Sequence, residues 1–119
     1  MANPVMQWQI VTANPDRHAK FYRELFGWKI EADNALGYRM AETGPGGIDG
    51  GFWPAPPAAP SFVQLFVAVD DVGAAVSRAA ALGATVIVPP QALPDGDELA
   101  IVRDPEGVTF GLNRRRASR

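Results

Sequence analysis

Two stretches of the sequence decide the fold because both follow the same plan. Residues 7–30 read QWQIVTANPDRHAKFYRELFGWKI, and residues 64–86 read QLFVAVDDVGAAVSRAAALGATV. Each predicts a strand that begins near a glutamine, then a helix, a glycine at the helix end and a further strand. The two stretches are separated by close to half of the 119 residues, which predicts two similar modules. Matched residues of two such modules are expected around one shared cleft.

The remaining patterns complete each module as strand, helix, strand, strand, strand. The first module is predicted to have strands at 5–12, 28–32, 38–43 and 48–53, with turns at 34–37 and 44–47 and a helix from Asn14 to about Phe26. The second has strands at 62–69, 85–88, 99–103 and 108–113, a loop at 89–96, a hairpin turn at 104–107 and a helix between Asp71 and Gly83. We therefore predict an α+β fold, with modules at about 5–53 and 61–113, a proline-rich linker at 54–60 and a basic tail at 114–119.

Composition restricts the function. A net charge of −2 gives no reason to expect a nucleic-acid partner, and the lack of cysteine excludes disulfides, thiolate zinc sites and a cysteine nucleophile. No apolar stretch reaches the roughly 18 residues that a membrane span needs. The N-terminal MANPVMQW does not resemble a signal peptide, so we expect a cytoplasmic protein.

Alternation along the strands separates a face beneath each helix from a face away from it. Met6, Trp8 and Ile10 are predicted to face the first helix, and Val63, Leu65, Val67 and Val69 are predicted to face the second. The opposite faces have a mixed polar and aromatic composition that is typical of a small-molecule cleft, although solvent or a dimer interface would also suit it. The residues predicted to line this cleft are Gln7, Gln9, Asp49, Trp53, Gln64, Phe66, Thr109 and Asn113.

Few residues offer catalytic chemistry. Asp49 is the only acid on the predicted cleft face and would become a candidate general base if it were buried beside Trp53. The single histidine, His18, lies in the first helix between charged residues, which predicts a solvent-facing side chain and argues against a Ser-His-Asp triad. The glycine-rich segment 44–51 lacks the Gly-Lys-Ser/Thr ending of a phosphate-binding loop.

Four segments together resemble the vicinal oxygen chelate superfamily, which includes glyoxalase I, bleomycin-resistance proteins and extradiol dioxygenases. They are NPDRHAKFYRELFGW, GGIDGGFWP, VDDVGAAVSRAAALGATV and DPEGVTFGL, and the resemblance extends from about Met6 to Asn113. It is strongest to small members with a GGIxGG segment. The resemblance implies two βαβββ modules whose sheets curve around a cleft, and it implies a homodimer.

The resemblance also implies four metal-ligand positions, one on the first and one on the last strand of each module. They fall on Gln7, Gly51, Gln64 and Gly111, where metal-dependent members have His, Glu or sometimes Gln. Glycine has no side chain to coordinate a metal, and two neutral amides bind transition metals weakly. We therefore expect no metal cofactor, although Gln7 and Gln64 with Asp49 and water would form an alternative site.

Three functional hypotheses follow. The first is a metal-free protein that binds a small aromatic or amphipathic molecule. The second is a metal-dependent lyase, isomerase or dioxygenase of the same superfamily, or an enzyme that uses Asp49. The third is a dimeric interaction module whose cleft is filled by its own side chains.

Overall fold

The computed structural model describes residues 2–32, 38–56, 58–94 and 96–114. This described part contains eight strands and two helices, and none of its helices is long and apolar enough to cross a membrane. The strands are β1 Val5–Thr12, β2 Lys29–Glu31, β3 Arg39–Glu42, β4 Gly50–Pro54, β5 Phe62–Ala68, β6 Thr85–Ala92, β7 Glu98–Arg103 and β8 Thr109–Arg114, and the helices are α1 Pro15–Phe26 and α2 Val72–Ala81. The element order confirms the α+β fold with two βαβββ repeats.

The chain divides into two compact units, Met6–Gln64 and Leu65–Arg119 with Met1–Val5. Strands of the first unit lie in the order β2-β3-β4-β1, with β1 parallel to β4 and the other pairs antiparallel. The second repeat has the order β5-β8-β7-β6, with β5 parallel to β8. The first and last strands of each repeat are therefore neighbours, which places Gln9 beside Gly51 and Phe66 beside Gly111.

The first unit packs one face of its sheet against α1. Asn14 caps this helix by accepting a 3.0 Å hydrogen bond from the Arg17 N–H, and Gly27 ends it in the left-handed conformation. The buried core contains Ala19, Ile30, Ala41 and Phe52, with Trp8 and Ile10 packed against it. The predicted orientation of Trp8 and Ile10 is thus confirmed.

The second unit has an equivalent core beneath α2. The Asp71 carboxylate caps this helix by accepting from the Ala74 N–H at 2.9 Å. Val67 and Val69 pack against the buried core, which confirms their predicted face. The same prediction is wrong for Val63 and Leu65, which are 62% and 47% exposed. The members of this core are Val72, Val76, Ala100, Val102 and Leu112.

Two element boundaries differ from the prediction by more than one residue. Strand β4 begins at Gly50, so Asp49 precedes the strand. Strand β6 continues through Pro89 and Pro90 to Ala92, where a loop was predicted. Proline is tolerated there because β6 is the outer strand of its repeat, and its pairing with β7 shifts register at two points.

Side-chain and backbone hydrogen bonds close the predicted turn at 104–107. The Asp104 carboxylate accepts from the N–H groups of Glu106 and Val108, both at 2.9 Å. The predicted turn at 34–37 and the tail at 115–119 lie outside the described residues.

Candidate ligand-binding site

The face of the first unit opposite α1 carries an aromatic ring where the resemblance places a metal ligand. Gly51 pairs with Gln9 across the parallel strands β1 and β4. A Cβ atom at position 51 would lie less than 3.0 Å from the ring and hydroxyl of Tyr38, and Cβ atoms in proteins do not make contacts that short. Glycine is required at this position because it allows the Tyr38 ring to approach the backbone.

A short hydrogen-bonded network adjoins this ring. Nε2 of Gln64 donates to Oε1 of Gln9 at 2.6 Å. Burial raises the pKa of Tyr38 to about 12, although a hydrogen bond with the Gln9 side chain opposes this shift. The Tyr38 ring also contacts Trp53, with 5.8 Å between the ring centroids. The structure thus brings together three of the predicted residues, Gln9, Gln64 and Trp53, around Tyr38.

One acceptor in this network is left open. Gln64 is only 6% exposed, and among the described residues no donor reaches its Oε1 atom. A buried carbonyl oxygen without a donor costs about 1–3 kcal/mol. Groups of this kind need a functional explanation, and a bound molecule that donates a hydrogen bond would supply one.

The second unit repeats the pairing of an aromatic ring with a glycine. Phe66 is 2% exposed and pairs with Gly111 across β5 and β8. A Cβ atom on Gly111 would collide with the Phe66 ring. Asn113 is 8% exposed, and its Oδ1 atom is buried with no donor in the described part of the chain, while Thr109 is half-buried.

The implied metal-ligand set does not fit a metal. The spaces beside Gly51 and Gly111 are occupied by rings, so a ligating side chain would have to displace Tyr38 or Phe66. Gln7 is half-buried and Gln64 already donates to Gln9. Within the residues described, no three His, Cys, Asp or Glu side chains lie close enough together to hold a metal ion.

Asp49 does not meet the condition for a general base. It is exposed, and its carboxylate accepts a 2.9 Å hydrogen bond from the Thr43 N–H and a 3.4 Å bond from the Thr43 hydroxyl. These contacts join the two ends of the turn between β3 and β4. They explain Asp49 as a structural residue that holds this turn.

The prediction that His18 faces solvent is wrong. His18 is half-buried, and its Nδ1 atom lies 2.7 Å from the Thr12 hydroxyl oxygen. Thr12 is 2% exposed and also accepts from the Asn14 N–H at 3.2 Å and from the Ser61 hydroxyl at 3.2 Å.

His18 also lines a groove at the start of α1 that the sequence did not predict. The groove has a volume of about 510 Å³. Its lining consists of Thr12, Ala13, Asn14, Arg17, His18, Phe21 and Tyr22.

Tyr38 is the site residue that sequence reasoning missed. Its position at the edge of a predicted strand did not indicate which face its ring would occupy. The available signal was Gly51, because a glycine inside a strand indicates a close approach by another group.

The repeated βαβββ order matches the fold of the vicinal oxygen chelate superfamily that the resemblance implies. The model of the glyoxalase-like domain family matches residues 7–113, and the chain belongs to this family. It is 30% identical over 107 residues to the protein named "Putative glyoxylase CFP32" from Mycobacterium tuberculosis and from Mycobacterium bovis. The match covers 87% of this chain and 41% of those relatives, so the chain spans about two-fifths of their length.

Solved structures share the fold at low sequence identity. A hypothetical protein, BH1468 from Bacillus halodurans, superposes with a TM-score of 0.69 at 14% identity, covering 98% of this chain and 96% of that one. Methylmalonyl-CoA epimerase from Mycobacterium tuberculosis superposes with a TM-score of 0.66 at 16% identity, covering 96% and 89%. At these identities the likeness concerns the fold alone.

Proposed function

We propose that this glyoxalase-like protein binds a small aromatic or amphipathic molecule without a metal cofactor. The observation that carries the proposal is the filling of the Gly51 and Gly111 positions by the rings of Tyr38 and Phe66. The half-buried Tyr38 ring beside Trp53 favours contacts with a planar or apolar molecule, whereas a metal site would need anionic or imidazole ligands.

The polar groups of the first unit support a role in orienting such a molecule. Gln9 and Gln64 are held by a 2.6 Å hydrogen bond, and Trp53 lies against Tyr38. Small-molecule sites commonly combine apolar surface with a few fixed polar groups. Gln7, Thr109 and Asn113 remain predicted members of the site.

A metal-dependent enzyme is the second candidate. The open Oε1 atom of Gln64 favours it, because amide oxygens suit hard cations. The name of the relative from Mycobacterium tuberculosis, "Putative glyoxylase CFP32", also favours an enzymatic reaction. An Asp49→Asn variant would test the remaining acid, and loss of a measured activity in that variant would favour enzymatic chemistry at Asp49.

The third candidate is a dimeric interaction module. Phe21, Leu25 and Phe26 lie along α1 and are each 56–57% exposed, which is unusual for apolar side chains grouped on one helix. We also propose that the protein is a homodimer and acts in the cytoplasm. A Leu25→Lys variant that changes the mass measured by sedimentation would favour an interface on α1.

One experiment separates the first two candidates. The metal content of the purified protein is measured before and after incubation with Zn, Ni, Mn and Fe(II), and thermal unfolding is followed alongside. We expect less than one metal ion per ten chains and no shift in Tm. About one ion per chain with a stabilising shift would overturn the proposal, since a ligand stabilises only the state that binds it.

A further inference from the structure

The Gln64 side chain donates a hydrogen bond within the first unit. Its Nε2 atom donates to Oε1 of Gln9, at 2.6 Å. The donor end of this amide is therefore used, and its Oε1 atom is left at the other end.

An acceptor is consequently the group left open. Gln64 is 6% exposed, and within the described residues its Oε1 atom has no donor. Consecutive hydrogen bonds polarise one another, so donation by Nε2 makes the Gln64 carbonyl oxygen a better acceptor. A carboxylate or an ester carbonyl would be repelled by this atom, whereas an O–H or N–H group would be attracted.

The second unit leaves open a group of the same kind. Asn113 is 8% exposed, and its buried Oδ1 atom also lacks a donor among the residues described. The two open side-chain amide atoms are both oxygens.

We propose that the bound molecule carries an uncharged hydrogen-bond donor, such as a phenol hydroxyl or an aromatic amide N–H, that donates to Oε1 of Gln64. This inference rests on the proposed binding function and specifies the class of ligand. An aromatic molecule whose only polar groups are acceptors leaves this oxygen without a donor and is discriminated against.

The test compares two probes that share a ring system, 2-naphthol and 2-methoxynaphthalene. Their dissociation constants are measured by fluorescence titration of the intact chain at pH 7. We expect 2-naphthol to bind at least about tenfold more tightly, because the methoxy compound leaves the buried oxygen without a donor. In a Gln64→Met variant the preference should fall to within about twofold. Gln91→Met, a matched change at an exposed glutamine of β6, should retain the full preference.

A second measurement avoids dependence on a variant that fails to fold. The ¹³C resonance of the Gln64 side-chain carbonyl should move downfield with 2-naphthol and stay in place with 2-methoxynaphthalene. Equal affinity for the two probes would overturn the donor inference and leave the binding function standing. Binding of neither probe at millimolar concentration would contradict both.

Discussion

The ring of Phe66 occupies the space that a side chain on Gly111 would need. The two residues are register partners on the parallel strands β5 and β8, and the ring is 2% exposed. A methyl group on residue 111 would therefore overpack a buried contact. In the first unit, Tyr38 and Gly51 show the same relationship.

We predict that Gly111→Ala lowers the free energy of unfolding by about 1–3 kcal/mol, the usual cost of overpacking. Urea denaturation at pH 7 measures the change. When Phe66→Ala is also present, Gly111→Ala should lower the free energy of unfolding much less. A double-mutant cycle of the two changes measures this difference. An equal penalty with and without Phe66 would show that the ring is not the cause.

The order of the elements could be read from the sequence because local signals agree at each point. Asn14 and Asp71 cap the helices as predicted, and Gly27 and Asp104 form the predicted ends and turns. The extension of β6 could not be read, since Pro89 and Pro90 are tolerated only because that strand lies at the edge of its repeat.

The candidate site could be read only in part. Strand alternation correctly separated Trp8 and Ile10 from Gln9, but it contained no information on pairing between strands. The approach of Tyr38 to Gly51 depends on the pairing of β3 with β4, which is a long-range property. His18 was misjudged because its neighbours along the helix are charged, whereas its environment is set by Thr12 on β1.

The raised pKa of Tyr38 makes stability depend on pH in the alkaline range. In the unfolded chain the phenol ionises near pH 10, and in the folded protein only near 12. The stabilising contribution is therefore complete below pH 10 and is lost as the pH rises from 10 toward 12. We expect a loss of about 2 kcal/mol at most across this window, measured by urea denaturation.

A matched pair of variants assigns this alkaline slope. Tyr38→Phe should be less sensitive to pH between 10 and 12 than the parent protein, because it lacks the buried phenol. Tyr22→Phe, which removes the other tyrosine hydroxyl, should retain the slope. The assignment to Tyr38 fails if both variants show the parent's dependence.

Thr12 joins three segments through its hydroxyl, and we predict that Thr12→Val is destabilising by about 1–3 kcal/mol. The valine keeps the volume but leaves the Asn14 N–H and the His18 ring nitrogen without their partner. Thermal unfolding should show a Tm lower by several degrees. Ser61→Ala removes only one of the contacts and should cost less. A larger effect at Ser61 than at Thr12 would contradict this ranking.

Among the described residues, Ala58 is the one non-glycine residue with a positive φ angle, which is 66°. It occupies the third position of a turn closed by a 3.1 Å hydrogen bond from the Ala59 N–H to the Pro56 carbonyl. The left-handed conformation costs an L-residue about 1–2 kcal/mol, and the added chain entropy of glycine in the unfolded state costs about 0.4–1 kcal/mol. The relief of strain is the larger effect, so Ala58→Gly should stabilise the protein by about 0.5 kcal/mol. Ala59→Gly carries the same entropy cost without relieving a positive φ, and urea denaturation should show it to be neutral or destabilising. Equal destabilisation by both changes would show that Ala58 is not strained.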